Sequence, residues 1–383
     1  MTDRLTRDEL LRRGALGGAV LTLPGILAAC GGTSTKAGGT TVEHKLAKTL
    51  HFSNWTLYID KEGNRHPTLD QFQKKYGVHV DYREDINDNA SFFGKIEGPL
   101  SRGQSTGRDL IVMTDNSRYP SLLIKKGWVE KLDKSAIPNM KNLIEQQRHP
   151  NWDPNRDHSL PWQSGMSGIG WNDKLTDPVL TMGDLLGNKK LKGKVGLLNE
   201  FADTLALVMA YNGDDPSKVT DASFNRAIST IKKAVDSGQI RAFYGNDYSG
   251  PLAKGDLAAT MSWSGDIVQL QADNPHLKWN LPDTGGDIWT DNMLNPKGGD
   301  VYTASVYMNF AYDPKIAAQI EDYVNYICPV IGAKAVLLKQ DPSIANNHLI
   351  FPTKKMLDNV HVIDPEALNN EKYQTTWQNL ISA

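Results

Sequence analysis

Between Thr49 and Gly127 strand-like runs alternate with helix-like ones, and the same rhythm returns at Gly193. "TLHFSNW" reads as a strand and "PTLDQFQKKYG" as a helix, with Pro67 at its start and Gly77 at its stop. "VHVDYRE" alternates as a strand does, and "NASFFGKIEGPLSRG" is a weaker helix that Gly98-Pro99 interrupts. "RDLIVMT" is almost wholly apolar, as expected of a strand covered on both faces. "RYPSLLIKKG" is a helix ending at Gly127. In the second series "GKVGLLNE" is a strand, and "FADTLALVMAYNG" and "SFNRAISTIKKAVDSG" are amphipathic helices. "DLAATMSW" is a strand feeding "SGDIVQLQADN"; "DVYTASVYMNF" is a further strand and "PKIAAQIEDYVNYI" a further helix. Repeated units of this kind with short connections predict a parallel sheet with helices on both faces.

"SLPWQSGMSGIGWN", from Ser159 to Asn172, breaks the rhythm. It is glycine-rich with apolar residues between, which suggests extended chain crossing from one domain to another. The expectation is an α/β protein of two lobes: residues 48–162 with 291–335, and residues 163–290 with 336–383. Two lobes joined by crossing strands predict a cleft that closes on a ligand. No internal repeat is evident.

The N-terminus lies outside this pattern. Arg12-Arg13 precede an apolar stretch from Gly14 to Ala29, and Cys30 follows. That stretch is short for a membrane span, which needs roughly 20 apolar residues, and suits a signal-peptide core. "LAAC" resembles a bacterial lipobox, with Cys30 the lipidated first residue of the mature chain, and "LRRGAL" resembles a twin-arginine export signal. The alternative is an ordinary signal peptide with a chance cysteine. Residues 1–29 are thus a leader and 30–47 a lipidated cysteine and flexible tether. The expected location is extracytoplasmic, anchored to a membrane by lipid. Only Cys328 remains in the folded part, in apolar surroundings that suit a buried, inert thiol. A net charge of −2 lacks the basic excess that nucleic acid demands.

Ligands in sheets of this kind lie at the carboxyl ends of strands. Those ends hold Trp55 and Tyr58, Asp115 and Tyr119, Glu200 and Asp203, Trp263 and Asp266, and Trp289 and Asp291. Arg118 is the one basic residue among them. A slot of three indoles, phenols and carboxylates prefers a cation with an apolar body. Indole faces attract ammonium groups by ~0.5–2 kcal/mol each, and pack against methylenes at ~0.8 kcal/mol per CH₂. Carboxylates hold the charged ends by charge-assisted hydrogen bonds. An alkyl polyamine meets all three demands. Each position also has a structural reading. Trp55 and Tyr58 can be core aromatics, and Glu200 and Asp203 can serve the N-terminus of the following helix. Recurrence at successive strand ends favours the ligand slot.

The chain resembles the spermidine/putrescine-binding proteins, the extracytoplasmic receptors of polyamine ABC transporters. The resemblance runs from about Thr49 to about Ile331 through "NWTLY", "RDLIVMT", "KKGWVEKLD", "SLPWQSGMSGIGWN", "TMSWSGD" and "GGDIWTDN". It implies a two-lobed, hinged periplasmic-binding-protein fold, type II-like, with a polyamine between the lobes. Trp55, Tyr58, Glu200, Asp203, Trp263, Trp289 and Asp291 match its ligand-lining positions. It implies transporter permease partners and a monomer, and neither cofactor nor metal. Two departures stand out. Arg118 or Tyr119 falls where an aromatic often touches ligand; the expectation is that Tyr119 or Asp115 faces the cleft and Arg118 faces solvent. The segment 331–352 is shorter than usual, so a contact supplied from there is unassigned. Three matched carboxylates, Glu200, Asp203 and Asp291, favour triply charged spermidine over putrescine.

Other readings are a receptor for a different organic cation, an amino acid or a sugar, an extracytoplasmic enzyme, or a scaffold or sensor lipoprotein. Three clustered carboxylates without basic partners argue against a sugar. An enzyme lacks support, because G-x-S-x-G, H-E-x-x-H, G-x-G-x-x-G and P-loop signatures are missing. "SGMSGIG" resembles a nucleophile turn at the wrong spacing.

Overall fold

β-branched and aromatic runs flanked by turn residues become strands, and runs capped by Pro, Asp or Thr become helices. The structure, a computed structural model, describes residues 44–382. The leader, Cys30 and the first part of the tether lie outside the described residues. The first series gives β1 (Thr49–Trp55), β2 (His79–Ile86) and β3 (Leu110–Thr114), the last buried at every residue. The crossing segment is β4 (Ser159–Asn172), also buried throughout. Then come β5 (Val195–Leu198), β6 (Ile240–Tyr244), β7 (Ala259–Trp263), β8 (Leu277–Asn280), β9 (Gly286–Leu294) and β10 (Val360–His361).

Among the described residues these strands form one sheet, with the path β2-β1-β3-β9-β4-β7-β5-β6. The pairs β1/β2, β1/β3, β5/β6 and β5/β7 are parallel, as the alternation predicts. The sheet as a whole is mixed, which corrects the purely parallel expectation. β4 and β9 run against each other and against β7 and β3, because they carry the chain directly from one half of the sheet to the other. Their pairing slips between Pro161 and Gln163, a bulge that bends a strand locally. Glycines keep β4 thin: a Cβ on Gly165 would overlap the Trp289 ring and stand 2.9 Å from that of Tyr326.

Three elements differ from expectation. "DVYTASVYMNF" is a helix, Val301–Ala311, not a strand; the Asp300 carboxylate accepts from the N–H of Thr303 at 2.7 Å and caps its first turn. The helix Asn89–Ser101 runs through Gly98-Pro99: Pro99 forgoes its own N–H bond, but only two residues of the helix follow it, so little helix is left to disrupt. The helix Phe201–Tyr211 is buried from Phe201 to Met209 rather than amphipathic, packed against β5, β9 and the helix Asp221–Asp236.

Candidate ligand-binding site

A cavity lies where the parallel strands of both halves end beside β4 and β9. Trp55, Tyr58, Glu200, Asp203, Trp263, Asp266, Trp289 and Asp291 line it. Trp55 ends β1, and its Nε1 donates to the carbonyl of Val112 at 3.2 Å, which fixes the ring. Trp263 ends β7 and leads straight into the helix Ser264–Gln271, with no loop between. Trp289 and Asp291 sit inside β9 rather than at a strand end. The indoles stand edge to face: ring centroids are 6.0 Å apart for Trp55 and Trp263 and 6.1 Å for Trp263 and Trp289. Tyr58 and Trp289 each pack on Tyr326, at 5.1 Å and 5.6 Å. Trp55 and Tyr58 are therefore core aromatics and cavity walls at once.

Neutral donors hold every carboxylate of the cavity in place. Asp291 accepts from the Tyr58 hydroxyl and the Thr114 hydroxyl, both at 2.7 Å. Asp203 accepts from Trp263 Nε1 at 2.9 Å, from Asn116 Nδ2 at 3.0 Å and from the Ser167 hydroxyl. Asp266 accepts from Tyr248 and Tyr326, both at 2.7 Å, and from Asn246 at 2.9 Å. Glu200 occupies the N-cap position of the helix Phe201–Tyr211 without capping it. Its carboxylate accepts instead from Asn89, from the backbone N–H at 2.7 Å and from Nδ2 at 2.9 Å. The two acidic groups at this helix start are thus committed to the cavity.

No Lys or Arg lines this cavity among the described residues. Burial disfavours the ionised form of every carboxyl group in it. Glu200 is pushed up to about 8 by burial, with Asp88 and Asp203 adding to the rise. Burial pushes Asp291 up to about 7 and Asp266 up to about 6, against the pull of their hydroxyl donors. Asp203 is raised by burial too, and Asp287, which shares Asn116 with it, is raised further. Such a cluster gains from any cation that enters.

Asp115 and Tyr119, both expected at the ligand, do not line this cavity. The Asp115 carboxylate turns to the strand beside it and accepts from the N–H of Thr290 at 2.8 Å. Tyr119 stacks on Phe93, centroids 4.7 Å apart. Arg118 does not face open solvent: its guanidinium pairs with Glu371, and its side chain is only 18% exposed. It lines, with Tyr119, a neighbouring cavity that shares Asn116 and Glu200 with the first. Thr56, Asn89, Thr114, Asn116, Asn246 and Tyr326 complete the main wall, and their residue types do not mark them in the sequence. Asn89 and Asn116 follow β2 and β3 closely, so the strand-end rule reaches them. Asn246 follows β6, a short strand with little apolar alternation to announce it. Tyr326 comes from a helix end, where no rule of that kind points.

A two-lobed α/β molecule with an aromatic, acidic cavity at the crossing of its halves is a solute receptor. More particularly, the chain belongs to the bacterial extracellular solute-binding proteins, whose family signature spans residues 68–350. It is 27% identical over 345 residues to the spermidine/putrescine-binding periplasmic protein of Escherichia coli K12, covering 88% of each chain. It is 28% identical over 356 residues to the putrescine-binding periplasmic protein SpuD of Pseudomonas aeruginosa, covering 88% of this chain and 92% of that one. Its fold matches the spermidine/putrescine ABC transporter substrate-binding protein PotD of Streptococcus pneumoniae with a TM-score of 0.68. That match covers 87% of this chain and 98% of the other, at 22% identity. Each of these relatives is named as a binding protein.

Proposed function

We propose that this protein captures a polyamine outside the cytoplasm, spermidine in preference to putrescine, and delivers it to the permease of an ABC transporter. One observation carries the reading: Glu200, Asp203, Asp266 and Asp291 converge with three indoles on a cavity that, among the described residues, no basic side chain lines. Ammonium groups would replace the missing counter-charges, and the methylenes between them would lie against the ring faces. Four carboxylates suit a triamine better than a diamine. The chain would act as a monomer held to the membrane through Cys30, with residues 48–162 and 291–335 as one lobe and 163–290 and 336–383 as the other. The proposed boundaries fall within β4 and β9, which pair with strands of both halves.

Thermal unfolding with putrescine, spermidine, spermine, betaine, a neutral amino acid and glucose tests this. A ligand at ~1,000 times its dissociation constant adds about 4 kcal/mol of stability, which moves the midpoint by several degrees. The expected result is a large shift with spermidine that Trp263→Ala and Asp291→Asn abolish. A shift with glucose or the amino acid and none with any amine would overturn the ligand and leave the receptor fold standing.

A further inference from the structure

β2 and β6 end the eight-strand path of the sheet on opposite sides. The loops that leave their carboxyl ends nevertheless touch. The N–H of Asn246 donates to the carbonyl oxygen of Asn87 at 3.0 Å. The N–H of Asp247 donates to Asn87 Oδ1 at 3.2 Å, and Asn87 Nδ2 donates to Asp247 Oδ1 at 3.4 Å. Gly245 permits this approach: a Cβ there would overlap the Asn87 carbonyl oxygen and stand 2.7 Å from its Nδ2. Asn87, Gly245 and Asp247 do not line the cavity, but their neighbours Asn89 and Asn246 do. Asn89 holds Glu200, and Asn246 holds Asp266. The contact therefore joins the two edges of the sheet directly beside the side chains that orient two of the four carboxylates.

We infer that Asn87 and Gly245–Asp247 form a latch that closes the cleft over bound solute. Asn87, Gly245 and Asp247 are positioning residues: they set how long a ligand stays, and they do so without lining the cavity. A latch in this place presupposes that the cavity is the solute slot. Encounter with an open cleft precedes the latch, so the latch governs release rather than capture. It is built largely from backbone groups and one small residue, so Gly245 is its sensitive point. Asn87 is exposed and packs in no core, so its truncation tests the same contact without threatening the fold.

Stopped-flow release and capture of spermidine by the wild type, Gly245→Ala and Asn87→Ala provide the test, with exchange rates of the Asn246 and Asp247 amides measured alongside. Losing one or two hydrogen bonds of this kind corresponds to about tenfold faster release. The expected result is that increase in both variants, with capture unchanged, the Asp247 amide exchanging faster in both, and the Asn246 amide, whose acceptor is the Asn87 backbone carbonyl, exchanging faster in Gly245→Ala. Unchanged release in both variants overturns the latch and leaves the polyamine reading intact. If spermidine does not bind the wild type, the polyamine reading fails and amide exchange alone decides. Protection in the wild type that both variants lose then supports the latch, and equal rates in all three proteins overturn it.

Discussion

Asp291 sits between the hydroxyls of Tyr58 and Thr114, in a cavity that no Lys or Arg lines among the described residues. Burial lifts it to about 7, Glu200 to about 8 and Asp266 to about 6, far above the range these groups show when unfolded. Between pH ~4 and ~8 the folded chain therefore holds protons that the unfolded chain has released. Unfolding free energy falls with rising pH wherever the unfolded state binds fewer protons. These groups thus favour the empty protein most at low pH, and that contribution is lost as pH rises through their folded values. A bound cation favours the ionised forms, so binding expels protons and affinity rises over the same span. Calorimetric titration of spermidine near pH 7 in two buffers of different ionisation enthalpy should give different heats; equal heats would contradict this. Tyr58→Phe removes one hydrogen bond to the Asp291 carboxylate. It should weaken spermidine binding by ~1.5–3 kcal/mol, the range for a bond to a charged group, as read from dissociation constants. The sequence shows the large rings and carboxylates of this site because they are conspicuous beside strands. It hides Asn89, Asn116 and Asn246, since amides are ordinary in loops and only their contacts reveal that they orient Glu200, Asp203 and Asp266.

At the scale of elements, local pattern and tertiary setting disagree most clearly over Val301–Ala311. Its valines, tyrosines and threonine favour a strand, yet the segment is buried almost throughout as a helix and begins with an Asp300 cap. Burial lets aromatic and β-branched residues fill a helix on all sides, which erases the periodicity that identifies one. Phe201–Tyr211 reads correctly as a helix, but burial on nearly all sides replaces the amphipathic face expected of it. Asp300→Ala should lower stability by ~1 kcal/mol, the usual loss for such a cap, measured by chemical denaturation. The crossing strand is legible because glycine between apolar residues disfavours a helix. Its purpose is not, because Gly165 reports on Trp289, far away in the chain. Gly165→Ala should cost ~1–3 kcal/mol through overpacking and loosen ligand binding by displacing Trp289. Retained stability and unchanged affinity would show that the strand tolerates a methyl group there.

For the whole molecule, strand–helix alternation outlines each parallel half, while the mixed sheet that unites them depends on β4 and β9 pairing across long separations in sequence. That pairing brings side chains from distant parts of the chain, from Trp55 to Tyr326, around one cavity. The central claim is that this cavity selects positive charge. The most direct measurement is calorimetric titration with spermidine, putrescine and butane-1,4-diol, the last matching putrescine in length without its charge. Both amines should bind at a single site, spermidine more tightly, with binding at least about tenfold weaker in Asp203→Asn, the scale of one lost charge-assisted bond, and the diol should not bind. Binding of the diol as tight as that of putrescine, or no binding by either amine, would contradict the claim.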